Sequence, residues 1–212
     1  FLLSFSLIIV AIFTQLKLEE TVAMQQAEQT ATKSRSPILD VLRKHPKNVL
    51  LGAGTLILLA VGFYIFATYV LSYGTTVLQM SYNTVLAAVI AGALCQAIAI
   101  PLFAALSDRI GRKKVYLGGV IGSALWVFPA FVLVNTRQFV LVALGVVVAQ
   151  VLVAALQGPL PAFLHELFPV QVRYSGVSLG YQLGSLLGGG FTPILATLLY
   201  SEFRSFVPVA LL

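Results

Sequence analysis

Five long stretches of this chain carry no charged side chain at all: residues 49–72, 84–106, 115–134, 138–164 and 174–200. A helix needs roughly 20 mainly apolar residues to cross the hydrocarbon core of a bilayer. Each stretch reaches that length. Inside lipid no water is available to the backbone, so a spanning segment is either a helix or part of a closed barrel. None of these stretches alternates apolar and polar residues as a strand with one wet face does. The sequence therefore predicts an all-α polytopic membrane protein. Only 9% of its residues are charged, against about 25% in a soluble globular domain.

The net charge is +6, which by itself fits a nucleic-acid partner. The positions exclude that reading. Of the 13 Lys and Arg, only Arg137 and Arg204 fall in connections on one side of a simple zigzag through the five spans. The other eleven lie in the segment 17–48, in the stretch 107–114, and at Arg173. This is the positive-inside bias, and it assigns loops 17–48, 107–114 and 165–173 to the cytoplasm.

Residues 1–16 are expected to be the end of a membrane helix, and 205–212 the start of another, cut short. The segment 17–48 is a cytoplasmic linker, with its Gln-, Thr- and Ser-rich part at 22–35. Ser36-Pro37 is an N-cap and first-turn signal. The apolar positions Ile38, Leu39, Val41 and Leu42 then predict a short surface helix over 37–45. The membrane bundle is expected over 49–212, with spans about 49–72, 84–106, 115–134, 138–164 and 174–200. The single cysteine, Cys95, lies in an apolar run and reads as a buried inert thiol. With no Met and no basic leader at its start the chain is expected to carry no signal peptide, and both ends are expected to be cuts through helices.

The fifth span carries Gly176, Gly180, Gly184 and Gly188, each four residues apart. Small residues at that spacing let a second helix backbone come close. Ser178, Tyr181, Ser185 and Thr192 fall on a different face. The serines and threonines are expected to bond carbonyls of their own helix. Tyr181 and Gln182 are costly to leave in lipid and are assigned to a cavity or a helix contact.

The stretch Ser107-Asp108-Arg109-Ile110-Gly111-Arg112-Lys113-Lys114 holds five charges in eight positions between two spans. It reads as a tight turn kept in water, with Gly111 taking the bend. It resembles the conserved loop of the major facilitator superfamily, G-x-x-x-D-R-x-G-R-R/K. Asp108, Arg109, Gly111, Arg112 and Lys113 match, and Ala104 stands at the family's first glycine. Glu166-Leu-Phe-Pro169 with Arg173 resembles the E-x-x-P-x-x-x-R stretch of the same superfamily. The wider run from Glu166 through Arg173-Tyr174-Ser175-Gly176 and Gly180-Tyr181-Gln182-Leu183-Gly184 to Gly188-Gly-Gly190-Phe-Thr-Pro193 looks like the metabolite:proton symporter family. Leu18-Glu19-Glu20-Thr21 and the stretch from Pro37-Ile38 to His45-Pro46 fit it too. That family includes carriers of shikimate, 2-oxoglutarate, citrate, and proline or betaine.

The resemblance implies the C-terminal six-helix half of a twelve-helix major facilitator fold, running from the end of the sixth helix to the start of the twelfth. It implies a secondary active transporter in the cytoplasmic (inner) membrane. The expected activity is proton-coupled symport of a small polar metabolite by alternating access. The expected partners are the substrate, protons, the lipid bilayer and the missing N-terminal half, with no nucleic acid. Glu166 and Arg173 would join Asp108, Arg109, Gly111, Arg112 and Lys113 in a cytoplasmic gating network. In it Glu166 pairs with Arg109 or Arg112, and Asp108 faces a helix N-terminus.

No Asp, Glu, Lys, Arg or His falls inside a predicted span. The proton site is therefore expected in the other half, and the substrate site near the midplane between the halves. This half would supply neutral groups to it: Tyr64, Thr68, Tyr69, Gln96, Gln157, Tyr181 and Gln182. Tyr64, Thr68 and Ser72 recur every four residues and are read as one face. No catalytic residues, metal site or cofactor are expected: His165 and Glu166 alone make a poor metal site, and no phosphate loop or nucleophile elbow occurs. Alternatives are a drug:proton antiporter of the same superfamily and a non-transporting membrane sensor. An enzyme is not expected.

Overall fold

The computed structural model describes Phe13 and residues 37–211. Apart from Phe13, the expected membrane segment at 1–16 and the linker at 17–36 lie outside the described residues. Every regular element among the described residues is helical. In order they are α1 (Pro37–Lys44), α2 (Pro46–Tyr64), α3 (Val70–Thr76), α4 (Tyr82–Ile110), α5 (Arg112–Asn135), α6 (Phe139–Gln157), α7 (Leu160–Leu167), α8 (Arg173–Gly184), α9 (Phe191–Phe203) and α10 (Val207–Ala210). Two pairs are joined without a break by wider, π-helical turns. Ile65–Tyr69 links α2 to α3, and Ser185–Gly190 links α8 to α9.

Five helical stretches are long and apolar enough to cross a membrane: Pro46–Thr76, Tyr82–Ile110, Arg112–Asn135, Phe139–Leu167 and Arg173–Phe203. They run several residues past the apolar stretches read from the sequence. A helix satisfies its own backbone hydrogen bonds, so it need not stop where the hydrocarbon stops. It stops where a residue cannot continue it. Gln79, Arg137 and Arg204 take left-handed φ values of 55°, 60° and 46° in the connections after α3, α5 and α9.

The prolines also find tolerated places. Pro46 sits in the first turn of α2, where no N–H is required of it. Pro101 and Pro129 lie inside α4 and α5. Each removes one helical hydrogen bond, which neighbouring helices can re-satisfy or shield in a membrane bundle.

Packing places α6 at the centre, against both α4 and α5, and lays α8 along α2. The aromatic core lies at the end of the bundle that holds α3. There Phe131, fully buried, stacks on Phe206 at 5.6 Å and meets Tyr73 edge-on at 5.9 Å. Tyr73 donates to Asn135 Oδ1 at 2.9 Å, so its hydroxyl is satisfied within the core. Helix contacts are also fixed by two other ring donors. Tyr116 OH donates to Thr55 O at 2.8 Å, and Trp126 Nε1 to Gly145 O at 3.1 Å.

The outer faces are apolar. Leu50, Leu125 and Val140 are 71%, 72% and 73% exposed. Leaving such side chains in water costs about 25 cal/mol per Å², and hydrocarbon removes that cost. These outward faces, continued by Leu94 and Ile98 on α4, are the surfaces that lipid would cover.

Candidate functional site

The charged stretch is not a loop. Asp108 and Arg109 form the last turn of α4, Arg112 opens α5, and only Gly111 stands between the helices. Its φ is +100°, and a Cβ there would meet nothing within 4 Å. Glycine is required by the backbone angle, not by crowding. This reversal aims Arg112 at two carboxylates. Its guanidinium pairs with Glu166 of α7, and its Nη2 lies 3.5 Å from Asp108 Oδ1. Nη1 also reaches Ala162 O at 3.4 Å. One cation thus ties the end of α4, the start of α5 and α7.

Of the two partners the sequence allowed for Glu166, the structure pairs it with Arg112. Arg109 and Lys113 are exposed and make no ion pair among the described residues. Arg173 donates from Nε to Phe168 O at 3.3 Å, which fixes the entry into α8. It shares an open groove of about 470 Å³ with Arg112, His165 and Glu166. Asp108 lies one turn before Arg112, in the last turn of α4.

Further along the bundle a second groove, of about 210 Å³, opens between α2, the end of α6 and α8. Tyr64, Gln157, Tyr181 and Ser185 supply its polar groups, over an apolar wall that includes Leu56, Leu59 and Phe63. Gln157 is the last residue of α6, just before the Gly158-Pro159 break. Gln96 of α4 does not line this groove. It is buried, and its Nε2 donates to Gln157 Oε1 at 3.0 Å.

The other candidates sit elsewhere. Tyr69 is 5% exposed within the aromatic core, beside Tyr73 and Phe131. Thr68 and Gln182 are exposed and line no groove with these residues. The π-helical turn at Ile65–Tyr69 falls between Tyr64 and Ser72; Tyr64 is half-buried in the groove, and Thr68 and Ser72 are exposed. The turn at Ser185–Gly190 likewise lies between Tyr181 and Thr192. That residue is buried and donates to Gly188 O of its own helix. Ser185 is a groove residue that the sequence marked only as a hydroxyl one turn beyond Tyr181.

The glycine stripe is a seam. Gly176 lies against the Phe168 ring, Gly180 against Gly52 and Ala53, Gly184 against Ala53 and Leu56, and Gly188 against Ile57 and Ala60. At Gly180 an added Cβ would sit 3.7 Å from Gly52 Cα, and at Gly188 2.9 Å from Ile57 Cα. So α8 and its extension ride on the backbone of α2. A second close approach lies near the charged turn. A Cβ at Gly158 would come within 2.8 Å of Ala104 N and Ile100 O. Ala104 replaces the motif's first glycine, and Gly158 provides the room at that crossing.

Comparison with known proteins agrees with this architecture. The family model of the Major Facilitator Superfamily matches residues 78–211. The chain is 31% identical over 211 residues to the shikimate transporter of Escherichia coli K12, covering 96% of this chain and 47% of that protein. It is 26% identical over 210 residues to an inner membrane metabolite transport protein of the same organism, covering 96% and 47%. It is 27% identical over 217 residues to the glycine betaine/proline/ectoine/pipecolic acid transporter of Dickeya dadantii, covering 98% and 43%. No solved structure matches the chain at a significant level. The chain spans about half the length of the curated relatives it matches. With its helical bundle and its apolar outer faces, the chain is a multi-pass membrane segment that belongs to the Major Facilitator Superfamily.

Proposed function

We propose that the protein containing this chain is a secondary active transporter of the cytoplasmic membrane. It would carry a small polar metabolite in symport with protons, by alternating access. This chain would be its C-terminal half, with Gly111 and the Arg112 cluster on the cytoplasmic side. One observation carries the reading: Tyr64, Gln157, Tyr181 and Ser185 converge from three helices on one groove. Polar side chains that face lipid are costly. Grouped around a groove, they bind a polar solute and stay hydrated without it.

The relatives are named for shikimate, for metabolites, and for betaine and proline. These names support a small acid or zwitterion as substrate. The Arg112 pairs would hold the cytoplasmic ends of α4, α5 and α7 together in one of the two alternating states, and release them in the other. The basic loops on one side of the bundle favour that side as cytoplasmic. The test uses right-side-out vesicles holding the full protein under an inward proton gradient. Uptake of labelled shikimate, 2-oxoglutarate, citrate, proline and betaine is followed with and without an uncoupler. Uncoupler-sensitive accumulation of one compound is expected. Drug extrusion with no uptake would instead favour an antiporter.

A further inference from the structure

Helix α1 ends in basic residues and carries an apolar face that the bundle covers only in part. Val41 is fully buried, while Ile38, Leu39 and Leu42 are 55%, 52% and 44% exposed. At about 100° per residue, Ile38, Leu42 and Leu39 form one arc of about 100° beside Val41, and Arg43 follows at its edge. We propose that α1 is an interfacial anchor that binds an anionic lipid surface. Its exposed arc enters the upper acyl layer of one leaflet, and Arg43 and Lys47 lie at the lipid phosphates. The proposal rests on the chain being a membrane segment, not on transport.

Depth, continuity and charge favour lipid as the occupant of this face. One continuous helix would set residue 41 about 12 Å below residue 49, at roughly 1.5 Å per residue. Instead α1 and α2 part at His45, whose φ of −131° and ψ of 43° are not helical. Val41 and Val49 then share one buried cluster with Phe168. Val49 opens the charge-free run of α2. So α1 is folded back to the level where the hydrocarbon begins, rather than standing two turns beyond it.

Beyond the break, Leu50 and Leu51 of α2 are also exposed. Exposed apolar side chains thus stand on both sides of His45, and those of α2 belong to the outer face of the bundle. Arg43 and Lys47 are exposed on either side of the same break. Residues 37–51 hold three Lys and Arg, at 43, 44 and 47, against one acid, Asp40. An amphipathic helix with basic residues beside its apolar face lies at headgroup level, and long basic side chains there reach the phosphates while their stems stay apolar. A helix of eight residues is too short to be stable alone in water. Its docking through Val41 and its contact with the bilayer hold it together.

The experiment places single nitroxide labels on the full protein, in a background without native cysteines, Cys95→Ser included. Labels replace Leu39, Leu42 and Arg43 in turn, and Ile38 serves if one of the leucine variants does not insert. Accessibility to oxygen, which concentrates in the acyl layer, is compared with accessibility to a water-soluble nickel chelate. Vesicles are made of phosphatidylcholine with and without phosphatidylglycerol. Labels at 39 and 42 should favour oxygen and the label at 43 nickel, and phosphatidylglycerol should raise the ratio of embedded to free label at 39 and 42. Arg43→Gln and Lys47→Gln should each lower that gain by about fivefold, with insertion unchanged. Nickel favoured at 39 and 42 would put the face in water and overturn the proposal. Exclusion of both reagents would show protein covering it and overturn it too. Embedding that ignores both phosphatidylglycerol and the glutamine substitutions would overturn the anionic-surface assignment. The readout is position in the bilayer, so a failure of the transport reading leaves it unaffected.

Discussion

Two glycines in the same π-helical turn should respond in opposite directions to the same substitution. Gly188 and Gly190 both lie in Ser185–Gly190. At Gly188 an added Cβ would meet Ala60 Cβ at 2.8 Å and both Ile57 Cα and Ile57 O at 2.9 Å; at Gly190 it would meet nothing within 4 Å. Carbon atoms pack at about 3.5–4.0 Å, so Gly188→Ala forces the α2 backbone back by about 0.6 Å or more. Two of the three atoms met belong to the backbone, so no rotamer change relieves the contact. Overpacking of this kind costs about 1–3 kcal/mol. Replacing glycine by alanine in a helix returns up to about 1 kcal/mol. With rigid neighbours the cost lies near the top of its range, and Gly188→Ala should destabilise by about 1–2 kcal/mol. Gly190→Ala should be neutral or stabilise by up to about 1 kcal/mol. The assay is reversible unfolding of the full protein in mixed micelles, compared at equal protein level. Equal midpoints for the two variants would refute the close seam between α2 and the α8 extension.

Three further outcomes concern the charged cluster, the backbone at Gly111 and the groove. Arg112→Ala should slow uptake more than Arg109→Ala or Lys113→Ala at equal membrane level, because among the described residues Arg112 is the cation that bridges Asp108 and Glu166. Both carboxylates are mostly exposed, so the loss in stability should stay below about 1 kcal/mol, while a bias of that size moves a two-state population by about fivefold. Asp108→Asn and Glu166→Gln should lower uptake the same way without changing insertion; normal uptake by both at equal expression would remove the gating role. Gly111→Ala should cost about 1–3 kcal/mol in stability from its positive φ alone, since nothing crowds the site, and an unchanged unfolding midpoint would contradict that. Gln157→Leu should raise the substrate KM by about tenfold, the value of one hydrogen bond to a charged group. Tyr181→Phe should raise it by less, because its neighbours Tyr64 and Ser185 also offer hydroxyls; unchanged KM in both would move the substrate elsewhere.

The helical class of this chain was legible in one dimension, because uncharged runs near bilayer length leave the backbone few other solutions. The seam was legible too. Gly176, Gly180, Gly184 and Gly188 all face neighbouring elements closely, the last three along α2. The groove was only partly legible, and the reason is geometric. Face assignments from a period of about 3.6 residues hold only while the helix keeps that period. Wider turns at Ile65–Tyr69 and Ser185–Gly190 break it in two spans. Thr192, beyond the second of these turns, is buried, while Tyr181 lines the groove. Such turns arise from packing between helices and leave no local mark that composition or periodicity detects. The contact between Gln96 and Gln157, across 61 positions of sequence, is of the same kind.

The distribution of charge argues for a division of labour. Among the described residues Asp108, Glu166 and Glu202 lie at helix ends, within the last two or three residues of α4, α7 and α9. The groove between α2, α6 and α8 is lined by hydroxyls, an amide and apolar carbons. A groove of this composition can recognise the shape and hydrogen-bonding pattern of a solute. It has no group that changes charge near neutral pH, so its affinity for the solute should not itself depend on pH between about 5 and 8. If uptake is proton-driven, the titrating group must act on the transport cycle from outside this groove. Solute binding to the protein containing this chain, measured without a gradient, separates the two. Binding that is flat with pH, with uptake that is steep, fits a remote proton site. Binding that itself changes about tenfold per pH unit would place a titrating group in direct contact with the solute and refute this division.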